Sequence, residues 1–311
     1  MSEAVLICGS VAFDTIAVFD GRFKEHILPD RIHALSVSFL VPQMRREFGG
    51  CAGNIAYNLT LLGGQALPVA TVGADADDYL KRFEQLGIDT RHVRVLSDML
   101  TAQCFITSDL DDNQISAFHP GAMDRSADND VSQTPAKWAI VAPDSKAGML
   151  AHVDRFAANQ TPFIFDLGQA MPLFDGDDLN GVFGKASAVA FNDYEASVVE
   201  QRTGRSIEQI AEQLQAVVVT RGGEGATLYT QGQKLDIAAI KPAAIIDPTG
   251  CGDAHRAGLL YGLTEGWSWE KSCMLGNVMG AIKIAHRGPQ NHAPTRAEIN
   301  KLMQDNYGVM I

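Results

Sequence analysis

One segment concentrates residues that could do chemistry: Asp247-Pro-Thr-Gly-Cys-Gly-Asp253, followed by AHRAGLLYGL. Two glycines flanking one residue let the backbone turn tightly and point N–H groups outward. The helix-compatible run behind them adds the positive end of its dipole. Amides and dipole together suit negative charge developing on a transferring phosphoryl group. An aspartate at that mouth, Asp253, can take the proton of an attacking hydroxyl. The same residues also suit a plain glycine turn with Asp253 as helix N-cap.

Four further points carry a chemical and a structural reading each. In FGGCAGNIAYN (48–58), Gly49, Gly50 and Gly53 allow close backbone approach, and Asn54 can donate to and accept from hydroxyls. The alternative is a glycine-rich loop before a closely packed helix. In NDYE, Asn192 and Glu195 follow an apolar strand and could hold the waters of Mg²⁺. Their spacing favours a capping box. In TRGGEG, Thr220, Gly222 and Gly225 offer a hydroxyl and amides to phosphate, or a hairpin turn into 226–229. Asp14, just past Gly9 at the end of the first strand, could accept both hydrogen bonds of a vicinal diol or be a solvated loop acid. No GxGxxG follows the first strand (CGSVAFD) and no GxxxxGK[ST] occurs, so neither a dinucleotide fingerprint nor a P-loop is present.

The elements that must position these residues alternate. Strand-like runs fall at 4–9, 66–73, 138–142, 163–166, 188–192 and 216–220. Helical patterns fall at 54–62, 76–86, 146–159, 195–203, 207–213, 252–264, 270–285 and 295–305. Apolar strands alternating with amphipathic helices predict α/β architecture with a mostly parallel sheet, one domain over 1–311. Two regions break the rhythm, 32–48 and 101–119, with strand-like alternation. They predict a small sheet standing off the main domain as a lid. Asp111-Asp112-Asn113 marks a hairpin inside the second.

Composition narrows the classes. With 46% apolar and 20% charged residues in 311, a sizeable core is affordable. A formal charge of -12 argues against nucleic-acid binding, which needs basic side chains on phosphates. Five cysteines without CxxC spacing read as reduced thiols, and no run approaches the ~18 apolar residues of a membrane span. The N-terminal apolar stretch meets Asp14 early and reads as a strand, so a cytoplasmic protein is expected.

In order and spacing, the GG…N segment, NxxE (192–195), TxGxxG (220–225) and DxTGxGD (247–253) resemble the ribokinase-like (PfkB) carbohydrate and nucleoside kinases over essentially the whole chain. The resemblance implies a three-layer α/β/α domain with a β-sheet lid. It implies Asp253 as catalytic base and an anion hole of Gly250, Cys251 and Gly252 amides. It implies ATP along Thr220, Gly222, Gly225, Thr249, Asn192 and Asn277, with Mg²⁺ near Asn192 and Glu195, held through water. Asp14, Gly50 and Asn54 would bind sugar hydroxyls. Some members hold K⁺ at the segment matching Asp247 and Thr249, and the resemblance extends that option here. Two departures are Cys251, where Ala is usual, and His255, where Phe is usual. GGCAGNIAYNLTLLGG, NQISAFHPGAM (113–123) and DLGQAMPLF (166–174) look most like bacterial and archaeal adenosine or nucleoside kinases. That implies phosphorylation of a nucleoside 5′-hydroxyl, adenosine first, with Phe105, Phe118, Met123 and Gln169 as candidates for the base slot or for lid core. A ribokinase- or fructokinase-type sugar kinase and a non-catalytic nucleoside-binding regulator are the alternatives. Free lid edges make a homodimer an expectation.

Overall fold

The computed structural model describes residues 4–27, 36–111 and 113–311. β1 (Ala4–Cys8) lies inside a nine-stranded sheet, between β4 (Gln65–Gly73) and β8 (Trp138–Val141), parallel to both. β5 (Val93–Leu96) extends beyond β4; β9 (Phe163–Asp166), β10 (Ala188–Asn192) and β11 (Ala216–Thr220) extend beyond β8, all parallel. An antiparallel hairpin, β12 (Ala226–Thr230) and β13 (Gln233–Ile237), ends that side.

Apart from the edge strand β5, the parallel strands are buried on both faces, which is why they read as unbroken apolar runs. Val5 and Ile7 point to one core, with α2 (Cys51–Leu61), α3 (Asp77–Gln85), α8 (Cys251–Thr264), α9 (Trp269–Ile284) and α10 (Arg296–Tyr307). Leu6 and Cys8 point to the other, with α4 (Lys146–Ala158), α5 (Gly176–Phe183), α6 (Asp193–Thr203) and α7 (Ile207–Ala211). The result is the ribokinase-like three-layer arrangement. No helix among the described residues is long and apolar enough to cross a membrane.

The second sheet, expected as a lid, is smaller and separate: β3 (Gln43–Gly49), β2 (Ala12–Val18), β6 (Ala102–Ser108) and β7 (Gln114–His119), in that order. Two expectations need correction. Residues 36–42 are not strand, and residues 32–35 lie outside the described residues, so the first lid segment contributes only β3. Asp14 is not in a loop; it is on β2, a strand hidden in the sequence because it follows β1 after only Gly9-Ser10-Val11. The β6–β7 turn is held by the buried Asp109, whose carboxylate accepts from the amides of Phe23, Asp111 and Asn113. Phe23 opens the short helix α1 (Phe23–His26) at the lid tip.

The start of α8 is placed by its crossing with α9. A Cβ at Gly258 would stand 2.7 Å from the Gly276 nitrogen, so the two backbones touch. Gly258→Ala therefore forces helix against helix, with no flexible side chain to give way. The expected loss is at or above the ~1–3 kcal/mol of ordinary overpacking, read as a lowered urea midpoint at unchanged slope.

Candidate active site

α8 begins at a turn that only glycine takes easily. Gly250 is its N-cap at φ +78°, and a Cβ there would lie 2.8 Å from that of Pro289. The Cys251 amide donates to the Pro248 carbonyl at 3.1 Å and closes the turn. Of the three amides expected to form an anion hole, those of Gly250 and Gly252 thus have no acceptor among the described residues, and that of Cys251 is engaged.

Asp253, in the first turn of α8, is half-buried, and its Oδ2 accepts from Asn54 Nδ2 at 2.8 Å. Burial pushes its pKa up to about 6, while the Asn54 hydrogen bond and Arg256 pull it down. Asn54 sits in the first turn of α2, after Gly50 at φ +83°, where a Cβ would meet the Ser10 carbonyl and Ala12 amide at 2.6 Å. The two glycine turns thus bring an amide and a carboxylate from helices 199 residues apart into contact.

Asn54 is itself held in one orientation. Arg82 donates to the Gln290 Oε1 (3.2 Å) and carbonyl (2.6 Å), so the Gln290 NH₂ must face the other way. It donates to Asn54 Oδ1 (3.0 Å) and to Tyr79 Oη (2.7 Å), and Tyr79 donates to the Gly49 carbonyl at 2.7 Å. Only Nδ2 of Asn54 is left for Asp253. Gln290 is 2% exposed. Sequence reasoning missed Gln290, Tyr79 and Arg82.

On the lid, Glu47, Asp14, Cys104 and Phe118 are direct partners across β3, β2, β6 and β7, so they share one face. A Cβ at Gly49 would be 2.4 Å from Asp14 Oδ2, so that glycine makes room for the carboxylate. Burial, then Glu47 and Asp247, raises the Asp14 pKa to about 6. Phe118, two strands away on that face, is 53% exposed. Phe105 pairs with Thr15 and Ala117 and so points to the face opposite Asp14 and Phe118. Met123 is buried against Ala12 and Ala102 as lid core. Gln169 is exposed on a 3₁₀ turn beyond β9.

On the opposite side of the α8 turn, Thr220, Gly222, Gly225 and Asn277 line one cavity of about 260 Å³ that ends at Cys251 and Gly252, one residue short of Asp253. Gly222 (φ +52°) and Gly225 (φ +96°) supply the bends after β11. His255 lines the cavity too; Gly276 leaves space for its ring, and burial lowers its pKa to about 3, keeping it neutral. Asn277 donates to the Ala238 carbonyl at 3.1 Å. At α6, Asn192 and Glu195 form a complete capping box, with the Asn192 amide on Glu195 Oε2 at 2.8 Å and its Nδ2 on Oε1 at 2.9 Å. No three His, Cys, Asp or Glu side chains among the described residues cluster as a metal cage. One carboxylate in a hydrogen-bonded box suits a hydrated Mg²⁺, which keeps most of its waters.

The pfkB family carbohydrate kinase pattern matches residues 14–296. This chain belongs to that family. It is 50% identical to a nucleoside kinase of Burkholderia thailandensis solved in complex with inosine, with a TM-score of 0.90 over 98% of this chain and 99% of that one. The same enzyme, solved in complex with ADP-inosine, superposes with a TM-score of 0.87 at 52% identity, over 98% of this chain and 97% of that one. A nucleoside kinase of Methanocaldococcus jannaschii is 26% identical over 84% of this chain and 86% of its own length.

Two ion pairs, one buried on both sides and one with only its lysine buried, underlie the family signature here, and the sequence did not announce either. Arg256, one turn along α8 from Asp253, pairs with Asp166 at the end of β9 at 3.1 Å, both buried. Asp247 and Thr249, where the resemblance extended the option of a monovalent cation, are tied to the protein: Asp247 Oδ1 accepts from the Thr249 amide at 2.9 Å and Oδ2 from that of Gly288 at 2.8 Å. Lys283 Nζ lies against the same aspartate.

Gln290→Glu keeps size and shape but presents no donor to Asn54 Oδ1, so Asn54 must turn or lose its partner. Kinase turnover is expected to fall while substrate KM changes less. Gln290→Leu strands buried polar groups, each costing ~1–3 kcal/mol, and denaturant unfolding reads the loss.

Proposed function

We propose that this kinase transfers the γ-phosphoryl group of ATP to the 5′-hydroxyl of a purine nucleoside. The observation that carries it is the Asn54–Asp253 hydrogen bond at the mouth of α8, where the cavity along Thr220 and Gly225 ends. The relative in complex with inosine, half identical in sequence, supports reading inosine beside adenosine as a substrate. A primary amide such as that of Gln169 suits both bases, because it donates to a 6-oxo group and accepts from a 6-amino group.

In this reading Asp14 accepts from the ribose diol, with Gly50 and Asn54 beside it, and Phe118 on the same lid face stacks on the base. The 5′-hydroxyl then lies between Asp253 and the γ-phosphate. With a pKa near 6, Asp253 is ionised at neutral pH and takes the hydroxyl proton as its oxygen attacks phosphorus. The Gly250 and Gly252 amides and the dipole of α8 meet the charge growing on the transferred group, and the Cys251 amide keeps their turn closed. Thr220, Gly222, Gly225, Thr249 and Asn277 hold the nucleotide. Asn192 and Glu195 would hold Mg²⁺ through its waters, and the ion would supply positive charge to offset that of the phosphates. Lid closure excludes water and so suppresses idle hydrolysis of ATP.

A panel of nucleosides, ribose and fructose with ATP, reading ADP release, tests the substrate class. Adenosine and inosine should turn over well and the free sugars poorly; the reverse order would establish a sugar kinase. Asp253→Asn should keep nucleoside affinity by calorimetry and lose turnover by at least ~10²-fold. Near-normal turnover in that variant would remove Asp253 from the chemistry.

A further inference from the structure

Lys283 stands in the last turn of α9 and is 0% exposed. A buried ammonium is costly unless it is paired and hydrogen-bonded. Its Nζ donates to the Asp247 carbonyl at 2.7 Å and the His286 carbonyl at 3.1 Å, and Asp247 Oδ1 lies 4.0 Å away. Two carbonyl oxygens and a carboxylate therefore converge on one positive charge, the kind of donor set that backbone carbonyls offer a desolvated monovalent ion. An ammonium group carries the charge of a potassium ion and is close to it in size.

The place matters because Asp247 begins the segment that ends at Asp253. The amides of Ile246 and Asp247 donate to the Ile284 carbonyl at 2.9 and 3.1 Å, and both carboxylate oxygens of Asp247 accept amides from Thr249 and Gly288. The whole turn carrying Gly250 thus hangs on the end of α9, and Lys283 neutralises the oxygens gathered there. A potassium ion added at Asp247 would face an ammonium already in contact with that residue, and like charges at such range repel strongly. The residues present do not fit an added ion.

We propose that the Lys283 ammonium is a built-in replacement for the monovalent cation that other family members hold beside this segment. The anion-binding turn is then set without any ion from solution, and Lys283 is a positioning residue for it. The catalytic arm of the test rests on the phosphotransfer reading; the melting arm does not.

The wild-type protein should show the same Tm and the same kcat in potassium chloride and in tetramethylammonium chloride at equal ionic strength. Lys283→Met keeps the stem and removes the charge. It should melt lower in tetramethylammonium, rise in Tm saturably with K⁺, and regain with K⁺ a turnover reduced at least ~10-fold without it. Lys283→Arg, which keeps a cation, should need no salt rescue. If Lys283→Met does not fold alone, refolding yield in K⁺ against tetramethylammonium carries the same distinction. A wild type whose Tm or kcat rises specifically with K⁺ overturns the proposal. So does a folded Lys283→Met that ignores K⁺ in both readouts. A wild type inactive in every salt would sink the phosphotransfer reading and leave the melting result to decide the role of Lys283.

Discussion

The structure turns on one carboxylate that must stay ionised while half out of water. Removing a carboxylate from water favours its neutral form, and for Asp253 burial is the largest influence. Three features oppose it: the Asn54 amide at 2.8 Å, the Arg256 guanidinium one turn away, and the position of Asp253 in the first turn of α8. The balance, near 6, leaves a charged group that still accepts a proton readily.

Much of the fold can be understood as holding that balance. Asn54 could present either end of its amide to Asp253, and an oxygen there would repel the carboxylate. The Arg82–Gln290 contact prevents this by fixing which end of Gln290 faces Asn54. Arg256 would be an expensive buried cation without Asp166, yet Asp166 also pushes the Asp253 pKa upward. Arginine and aspartate thus act on Asp253 with opposite signs, and their pairing keeps the net effect small. The lid supplies a second carboxylate, Asp14, also raised to about 6 by burial and by Glu47. The two carboxyls are therefore raised to the same range.

The sheet strands were legible because burial on both faces leaves long apolar runs, as in Ala188–Asn192 and Ala216–Thr220. The α8 turn was legible because a left-handed N-cap demands glycine at 250. The Asn192–Glu195 spacing announced a capping box, and the box is complete. β2 was not legible: its residues continue an apolar N-terminal run, and only tertiary structure moves them to a separate sheet. Gln290, Tyr79 and Arg82 carry no periodic signal, since three segments become neighbours only when the chain is folded. Lys283 and Arg256 look like solvated charges on helices, and their burial follows from partners 36 and 90 residues away. Which face Phe105 takes was not legible, because alternation shows that a strand has two faces without showing which residues share one with Asp14.

The most direct measurement is the titration of Asp253 itself, followed by carbon-13 NMR of the side-chain carboxyls and assigned with Asp253→Asn. The arrangement described here requires a midpoint near 6, above that of an unperturbed aspartate. Asn54→Ala removes a donor to the charged form, so the midpoint must move to higher pH in that variant. A midpoint in the ordinary aspartate range, indifferent to Asn54→Ala, would contradict it.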